Sequence, residues 1–496
     1  MSKAEIVVLD KEPIGTISPF IHGHFAEHLG RCCYDGIWVG RDSKIPNMNG
    51  FRTDIVEAFK KVGIPMLRWP GGCFADSYHW RDGIGPNREP SVQESCGIRV
   101  VENNQLGTHE FIDFCNMIGA TPYLAGNVGS GSPKELCDWI SYCNDTGGSA
   151  LAAERAANGH AASMNVKYWG VGNENWGCGG NYDPADYGKE YRRYSTFIKM
   201  ADSSVELVAC GNNNRDWNMK VVEQLRNHLH LLDHFSVHQY WGAGHSTEFD
   251  EEGYYHLMRG VDQVEEDLKF TDEILQFFVA GRRKVGIAFD EWGAWHTDAR
   301  PDTNYEAGNT LRDAVSAAGA LDLFNRWCDK VSMANLAQIV NVLQTLAQTK
   351  GDKMWLTPTY HLFALYAPHR DALSLKAQIV DAPTRDNPKV DGSFPVSPMP
   401  AGSLSMVSTS ASKKDGKYIV SVTNRHMTDP MEITIRVPDV NLSKGTLMSL
   451  TADAPNAVNS AEQPNRVNVQ TKAVDVKSGS TTLVLPPCSV QTLVLG

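Results

Sequence analysis

Between about residues 18 and 370, short apolar segments alternate with longer amphipathic segments. The short segments favour strands, and the longer ones carry apolar residues at spacings of three and four, which favours helices. Such alternation is typical of parallel βαβ units. The predicted strands lie at residues 21–28, 65–72, 121–128, 166–175, 205–213, 234–241, 285–292 and 334–344, and the clearest helices at 51–62, 108–118, 134–144, 186–202, 256–280 and 308–331.

The number of predicted strands separates two α/β architectures. Eight strands are what a (β/α)8 TIM barrel needs to close. A doubly wound open sheet shows the same alternation, but it usually carries a GxGxxG turn after its first strand, and this sequence has none. We therefore predict a TIM barrel.

After about residue 373 the helical periodicity gives way to alternating runs such as KYIVSVTNR and MEITIRVPD, separated by Gly, Pro, Asp and Ser. This pattern predicts an antiparallel, jelly-roll-like β-sandwich. The opening AEIVVLDKEPIG is also strand-like, so we expect it to cross over and join the sandwich. The predicted organisation is an N-terminal strand segment (1–17), a catalytic barrel (18–372) and a C-terminal β-sandwich domain (373–496) that serves for packing.

Charge and composition limit which kinds of binding partner and which cellular compartment we expect. The 46 Lys and Arg against 58 Asp and Glu give a net charge of -12, which argues against nucleic acid and anionic membranes. The N-terminus lacks a signal-type apolar stretch and no apolar run is long enough to span a bilayer, so we expect a cytoplasmic protein. Eleven cysteines without a CxxC pair indicate neither a disulfide framework nor a zinc site.

Polar residues suited to sugar chemistry follow the predicted strands. In a TIM barrel the carboxyl ends of the strands form the active site. Six of the eight ends carry such groups, namely Glu27, Arg68, Asn173 with Glu174, His238 with Tyr240, Glu291, and Gln344.

Glu174 and Glu291 end the fourth and seventh strands, on opposite sides of the barrel mouth. Glycoside hydrolysis needs one carboxyl group to protonate the leaving oxygen and another to attack or stabilise the anomeric carbon, so this pair predicts a glycosidase. Asn173 is a candidate donor to the sugar 2-hydroxyl. Tyr240 and His238 are two residues apart, share a strand face, and are expected to orient the nucleophile and the acid respectively.

Other interpretations of single residues stay open at this point. Arg68 also suits a structural ion pair, and Trp295 suits core packing as well as a sugar platform. His22 and His24 form the HxH with which metal-dependent amidohydrolase barrels begin, but the fifth predicted strand ends in GNNN without the expected histidine, and the eighth ends in NVLQ without the expected aspartate. We therefore predict no metal site.

The motifs HFAEHLGR, RWPGGCFADSYHW, GVGNENWGCGG, HQYW, FDEWGAWH and NVLQ resemble glycoside hydrolase family 51, the α-L-arabinofuranosidases, over essentially the whole chain. The resemblance implies a retaining, exo-acting, cofactor-free enzyme that releases terminal arabinofuranosyl residues from arabinoxylan, arabinan or derived oligosaccharides, and a homo-oligomer, often a hexamer. It implies Glu174 as acid/base and Glu291 as nucleophile. The substrate-binding residues it implies are Glu27, Arg68, Cys73, Asn173, His238, Tyr240, Trp295 and Gln344.

Cys73 departs from many family members, which carry Asn there, and a thiol is a poorer partner for a sugar hydroxyl than an amide. Cys178 follows Glu174 by four residues, so a disulfide with Cys73 is a hypothesis, although a reducing cytoplasm favours two free thiols. Two other functions remain as alternatives. They are an endo-β-1,4-glycanase or β-xylosidase on the same two-glutamate barrel, and a non-catalytic carbohydrate-binding protein.

Overall fold

The computed structural model describes residues 2–386 and 402–496; residue 1 and residues 387–401, which fall within the predicted N-terminal and C-terminal segments, lie outside the described residues. Eight parallel strands close into a barrel, and neighbours around the barrel follow chain order. The TIM-barrel prediction is therefore confirmed. The barrel strands are β1 (Gly23–Phe25), β2 (Met66–Trp69), β3 (Thr121–Gly126), β4 (Tyr168–Val171), β5 (Glu206–Ala209), β6 (His234–Trp241), β7 (Gly286–Ala294) and β8 (Val331–Ala337).

The helices surround the barrel, and their ends follow local sequence signals. Ser132 caps the start of one helix by accepting a hydrogen bond from the Glu135 amide, and Gly63 ends another with φ of 68°. The six predicted helices are present, and three others among the described residues (α4, α6 and α9) were not predicted. The helices are α1 (Thr53–Val62), α2 (Thr108–Ile118), α3 (Pro133–Asn144), α4 (Ala150–Ala157), α5 (Pro184–Ala201), α6 (Arg215–Leu225), α7 (Glu251–Val279), α8 (Leu311–Arg326) and α9 (Pro358–Tyr366).

The lower half of the barrel interior is filled with side chains. One buried cluster comprises inward-facing residues of six strands, with Phe20 packed against it. Because this packing fills the barrel, the space for a ligand lies at the carboxyl ends of the strands. The cluster consists of Met66, Tyr123, Tyr168, Val208, Ala288 and Met333.

Among the described residues, the strands outside the barrel form one nine-stranded sheet and four small two-stranded sheets. The N-terminal strand, Ser2–Thr16, pairs antiparallel with Leu373–Val380 and parallel with Met431–Arg436, which is the one parallel pairing among the described strands of this sheet. The other strands are Val407–Lys414, Lys417–Asn424, Lys444–Thr451, Asn468–Asp475, Ser480–Leu485 and Ser489–Leu495. The two-stranded sheets are Asn47–Met48 with Phe51–Arg52, Ser91–Ser95 with Ile98–Glu102, Ala347–Lys350 with Lys353–Leu356, and Thr384–Arg385 with Leu404–Ser405.

Helix α8 joins the barrel to this sheet. The buried carboxylate of Asp322 accepts hydrogen bonds from the hydroxyls of Tyr366 (2.9 Å), Ser408 (2.7 Å) and Ser410 (2.8 Å). Within the described part of the chain, no helix has the length and apolar character to cross a membrane.

Candidate active site

The segment after β4 presents two consecutive side chains to the barrel mouth. The strand ends at Val171, and Gly172 (φ 86°) and Glu174 (φ 42°) then adopt left-handed backbone conformations. Asn173 Oδ1 accepts a hydrogen bond from Arg68 Nη2 at 2.6 Å, and Glu174 Oε1 lies 2.9 Å from His238 Nδ1. A turn therefore replaces the strand predicted to continue to residue 175, and it brings both side chains into the site.

A bulge in β7 positions Glu291. Ser236 of β6 pairs with Ala288, but His238 pairs with Glu291, so β7 has one extra residue in this interval. The buried Glu291 carboxylate then receives two hydrogen bonds, from Arg68 Nη1 at 2.6 Å and from the Tyr240 hydroxyl at 2.8 Å. Both partners donate to the carboxylate, so the Glu291 side chain is held from two directions.

The two glutamates face each other across the mouth. A ligand atom of each of Glu174, His238 and Glu291 lies within 4.8 Å of the other two. Retaining glycosidases keep their carboxyl groups about 5 to 5.5 Å apart, whereas inverting enzymes leave about 6.5 to 9.5 Å for a water molecule. The observed separation fits direct attack by one carboxylate.

His238 lies between the two glutamates, 2.9 Å from Glu174 Oε1 and 3.7 Å from Glu291 Oε2. Its burial would lower its pKa, but the carboxylates of Glu291, Asp290 and Glu174 outweigh that effect and raise the pKa to about 10. A protonated imidazole donates hydrogen bonds and does not ligate metals, which need the neutral ring. The spacing of the Glu174, His238 and Glu291 group would allow a metal ion only if His238 lost its proton.

Asp290 is a site residue that the sequence reasoning did not single out. It is buried beneath the mouth, 3.6 Å from Arg68 Nε and 3.3 Å from His238 Nε2, and it accepts hydrogen bonds from Tyr123 (2.7 Å) and Ser236. Burial would raise its pKa, but Arg68 and His238 hold the pKa well below its usual range. The sequence signal for Asp290 was its position directly before Glu291 in FDEW. Neighbouring side chains of a regular strand point to opposite faces, so Asp290 was not expected in the same site.

Glu27 follows β1 and closes another side of the mouth. Its Oε1 accepts hydrogen bonds from the amides of Gly72 (2.9 Å) and Phe74 (3.3 Å), and its Oε2 accepts one from Gln338 Nε2 (2.9 Å). Burial, together with the nearby Glu291 charge, raises the pKa of Glu27 to about 7.

Comparisons with known proteins agree with this geometry. A family model described as the alpha-L-arabinofuranosidase 1 domain matches residues 58–254, and one described as the alpha-L-arabinofuranosidase C-terminal domain matches residues 290–489. An intracellular exo-alpha-L-arabinofuranosidase from Bacteroides ovatus is 41% identical over 96% of this chain and 92% of its own length. The chain belongs to glycoside hydrolase family 51.

Solved arabinofuranosidase structures share the whole fold. The arabinofuranosidase from Xanthomonas axonopodis pv. citri is 36% identical with a TM-score of 0.91, and the match covers 100% of both chains. The alpha-L-arabinofuranosidase from Thermotoga maritima, solved as an arabinose complex, is 33% identical with a TM-score of 0.90 over 99% of both chains. The barrel and the sheet domain are therefore a shared architecture.

Two predicted substrate-binding residues of this family 51 chain contact protein groups. Gln344 lies beyond the end of β8 and is buried, and its Oε1 accepts a hydrogen bond from the Ala294 amide at 2.9 Å while its Nε2 donates to Asp313 O at 3.0 Å and Thr359 Oγ1 at 3.2 Å. Trp295 packs edge-on against Tyr240 at 5.2 Å between ring centroids. In this structure Gln344 is hydrogen-bonded to the end of β7, and the ring of Trp295 packs against the ring of Tyr240.

Cys73 and Cys178 are joined by a disulfide, with their Cα atoms 5.5 Å apart. The expectation of two free thiols is wrong for this structure, and the disulfide hypothesis describes it. The bond links the turn after β2 to the loop that carries Glu174. Cys73 consequently has no S–H to offer a sugar hydroxyl.

The HxH motif lies away from the barrel mouth. His22 and His24 are buried against Phe363 of α9, and His22 Nδ1 accepts a hydrogen bond from Arg370 Nε at 3.0 Å. Burial lowers the pKa of both imidazoles well below the usual value. These histidines pack the barrel wall and do not approach the two glutamates.

Proposed function

We propose that this protein is a retaining, exo-acting α-L-arabinofuranosidase that releases terminal arabinofuranosyl residues from arabinoxylan, arabinan or derived oligosaccharides. The observation that carries the proposal is the approach of Glu174 and Glu291 to within 4.8 Å across the mouth of a family 51 barrel. At that distance a sugar ring bound between them meets an acid on one side and a nucleophile on the other.

In the first step the Glu291 carboxylate attacks the anomeric carbon while Glu174 gives its proton to the departing oxygen. Arg68 and Tyr240 hold Glu291 from two directions, so its free lone pairs point in a fixed direction. When Glu174 loses its proton, the His238 cation at 2.9 Å stabilises the carboxylate that forms. The products are a covalent arabinosyl ester on Glu291 and the free alcohol.

In the second step Glu174 acts as base. It takes a proton from water as the water oxygen attacks the anomeric carbon, the ester bond to Glu291 breaks, and arabinose leaves with its original configuration. Asn173 supports both steps. Its Nδ2 is buried without a protein partner, although its Oδ1 is bonded to Arg68, so it is a free donor for the sugar 2-hydroxyl.

The exo mode is supported by a wall over one side of the mouth. The tip of the Ser91–Ser95 and Ile98–Glu102 hairpin, after β2, accepts a hydrogen bond at Cys96 O from the Tyr305 hydroxyl in the loop after β7. Since β8 and β1 lie between β7 and β2 in the barrel, this contact crosses above them. A mouth walled on that side favours the end of a glycan over the middle of a long chain.

The assay that tests the proposal compares 4-nitrophenyl α-L-arabinofuranoside with the β-D-xyloside and the β-D-glucoside. We expect turnover of the arabinofuranoside with retention, seen by NMR as the first-formed anomer of the product. Turnover of the xyloside or glucoside alone would instead support the endo-β-1,4-glycanase or β-xylosidase alternative. Binding without turnover of any of the three would support a non-catalytic carbohydrate-binding protein.

We also propose a cytoplasmic location and a homo-oligomer, by resemblance a hexamer. The first is supported by the Bacteroides ovatus relative, whose name describes it as intracellular. The second rests on the family resemblance, and light scattering at several protein concentrations measures it. A concentration-independent monomer mass would contradict the oligomer.

A further inference from the structure

The buried carboxylate of Asp76 collects hydrogen bonds from two other loops of the barrel mouth. Asp76 lies in the turn after β2. Its Oδ1 accepts from the amides of Val128 (2.6 Å) and Gly129 (2.7 Å), which follow β3. Its Oδ2 accepts from the Asn173 amide (2.7 Å) and from Asn175 Nδ2 (3.3 Å), which follow β4. One side chain therefore ties together the loops after β2, β3 and β4.

Two of those donors belong to the residues on either side of Glu174. The left-handed backbone of Glu174, with φ of 42°, is sparsely populated for a residue with a Cβ atom and persists only where the surroundings determine it. Asn175 adds a second tie, because its Nδ2 also donates to Gly179 O at 2.7 Å. The Asp76 carboxylate thus fixes both flanks of the strained residue.

The Asp76 carboxylate is tightly packed against the loop that carries Glu174. A Cβ atom on Gly179 would lie 2.6 Å from Asp76 Oδ2 and 2.0 Å from Asn173 O. All four hydrogen bonds to the Asp76 carboxylate come from N–H groups. An ionised carboxylate accepts all four, whereas a side-chain amide would place its own N–H groups against some of them. Burial nevertheless raises the pKa of Asp76 to about 7 against the effect of these hydrogen bonds.

We infer that Asp76 is a positioning residue for the acid/base step: its carboxylate sets the turn at Asn173 to Asn175, and thereby the direction in which Glu174 faces the leaving oxygen. Asp76 itself does not contact the sugar. The inference rests on the proposed role of Glu174.

The test substitutes Asp76→Asn, which keeps the size of the side chain but sets an NH2 group against backbone N–H groups. Displacing Glu174 weakens proton donation, and this matters most for leaving groups that depart poorly as anions. We expect kcat/KM for phenyl α-L-arabinofuranoside to fall about 10- to 100-fold further than that for the 2,5-dinitrophenyl substrate, since general acid catalysis contributes roughly 10²- to 10⁴-fold.

Asp322→Asn is the matched control. Asp322 is equally buried and accepts three hydrogen bonds, but it lies at the contact between α8 and the sheet domain. This variant should lower the unfolding temperature and leave the ratio of the two substrates unchanged. Should Asp76→Asn not fold, Asn175→Ala removes one of the four donors and should shift the same ratio in the same direction, by less.

The outcomes separate this inference from the proposed function. Equal losses on both substrates in folded Asp76→Asn, or no loss, would overturn the positioning role. If Glu174→Ala itself shows no dependence on the leaving group, the assignment of Glu174 as acid/base fails, and the inference fails with it. A ratio that shifts in Asp76→Asn and Glu174→Ala but not in Asp322→Asn supports both.

Discussion

The two glutamates at the mouth of this barrel are held in contrasting ways. Glu291 lies within a strand, is buried, and is bonded to Arg68 at 2.6 Å and Tyr240 at 2.8 Å. Glu174 lies on a left-handed turn beyond the end of its strand, is partly exposed, and contacts His238 at 2.9 Å. The turn is fixed from outside, by Asp76 and by the disulfide at Cys178.

This contrast matches the demands of the two proposed roles. A nucleophile needs an ionised carboxylate aimed at one carbon atom, so cationic and hydroxyl donors around it are favourable. An acid/base group exchanges a proton with the leaving group and then with water, so it needs solvent access and no dominant cation bonded to both oxygens. The partners of each side chain therefore distinguish the roles more clearly than the distance between the two groups.

The largest effect should follow from Glu291→Ala. Without the attacking carboxylate no arabinosyl ester forms, and we expect kcat/KM on 4-nitrophenyl α-L-arabinofuranoside to fall by about 10⁴-fold or more, as happens when a covalent nucleophile is removed. The loss should be equal for phenyl and dinitrophenyl substrates. Steady-state kinetics measures it.

Glu206→Ala is the control for this substitution. Glu206 begins β5 at the opposite end of the barrel, where it pairs with His234 and Lys167, each at 2.8 Å. Its loss should lower stability and spare the activity. A Glu291→Ala protein that keeps a tenth of the wild-type activity would contradict the nucleophile role.

A smaller and selective loss is expected for Glu174→Ala. Removing the acid should cost roughly 10²- to 10⁴-fold on substrates with poor leaving groups and much less on dinitrophenyl arabinofuranoside. Azide should restore turnover and give an α-arabinofuranosyl azide, because the small anion fits the space of the lost side chain, displaces Glu291 from the opposite face of the sugar and needs no base. Mass spectrometry and NMR of the products detect it, and the absence of rescue with every leaving group would argue that Glu174 plays another part.

Tyr240→Phe tests how much the Tyr240 hydroxyl contributes by orienting the Glu291 carboxylate. It removes one hydrogen bond to a charged carboxylate, which is worth about 1.5 to 3 kcal/mol, so kcat/KM should fall about 10- to 100-fold. Tyr366→Phe removes a buried hydroxyl bonded to Asp322 at 2.9 Å and is the matched control. If both variants lose activity equally, the effect of Tyr240 is one of stability.

The barrel and most of the site could be predicted because periodicity and strand ends are local features of the sequence. All eight barrel strands overlap the predicted segments, and Glu27, Arg68, Asn173, Glu174, His238, Tyr240 and Glu291 meet at one mouth. Strand periodicity fails where a strand bulges or ends. The bulge in β7 turns Asp290 inward, and the end of β8 at Ala337 leaves Gln344 in a loop.

The roles of Asp76 and Gln338 could not be predicted for a different reason. Their carboxyl and amide groups act on loops distant in the sequence, Asp76 on residues 128–129 and 173–175, and Gln338 on Glu27. No local pattern marks such contacts. The pairing of Cys73 with Cys178 stayed a hypothesis because the expected compartment argued against it, whereas the barrel fold brings the two residues together across 105 residues of sequence.

The smallest expected effect concerns that disulfide, which tethers the Glu174 loop but not Glu291. Thiol titration of the denatured protein should find nine free thiols without reductant and eleven after reduction. Cys178→Ser should lower kcat/KM a few-fold, and more on phenyl than on dinitrophenyl arabinofuranoside, because Asp76 still holds the turn when the tether is gone. Eleven thiols without reductant would mean that the bond does not form, and a loss equal on both substrates would mean that it stabilises the fold without acting on Glu174.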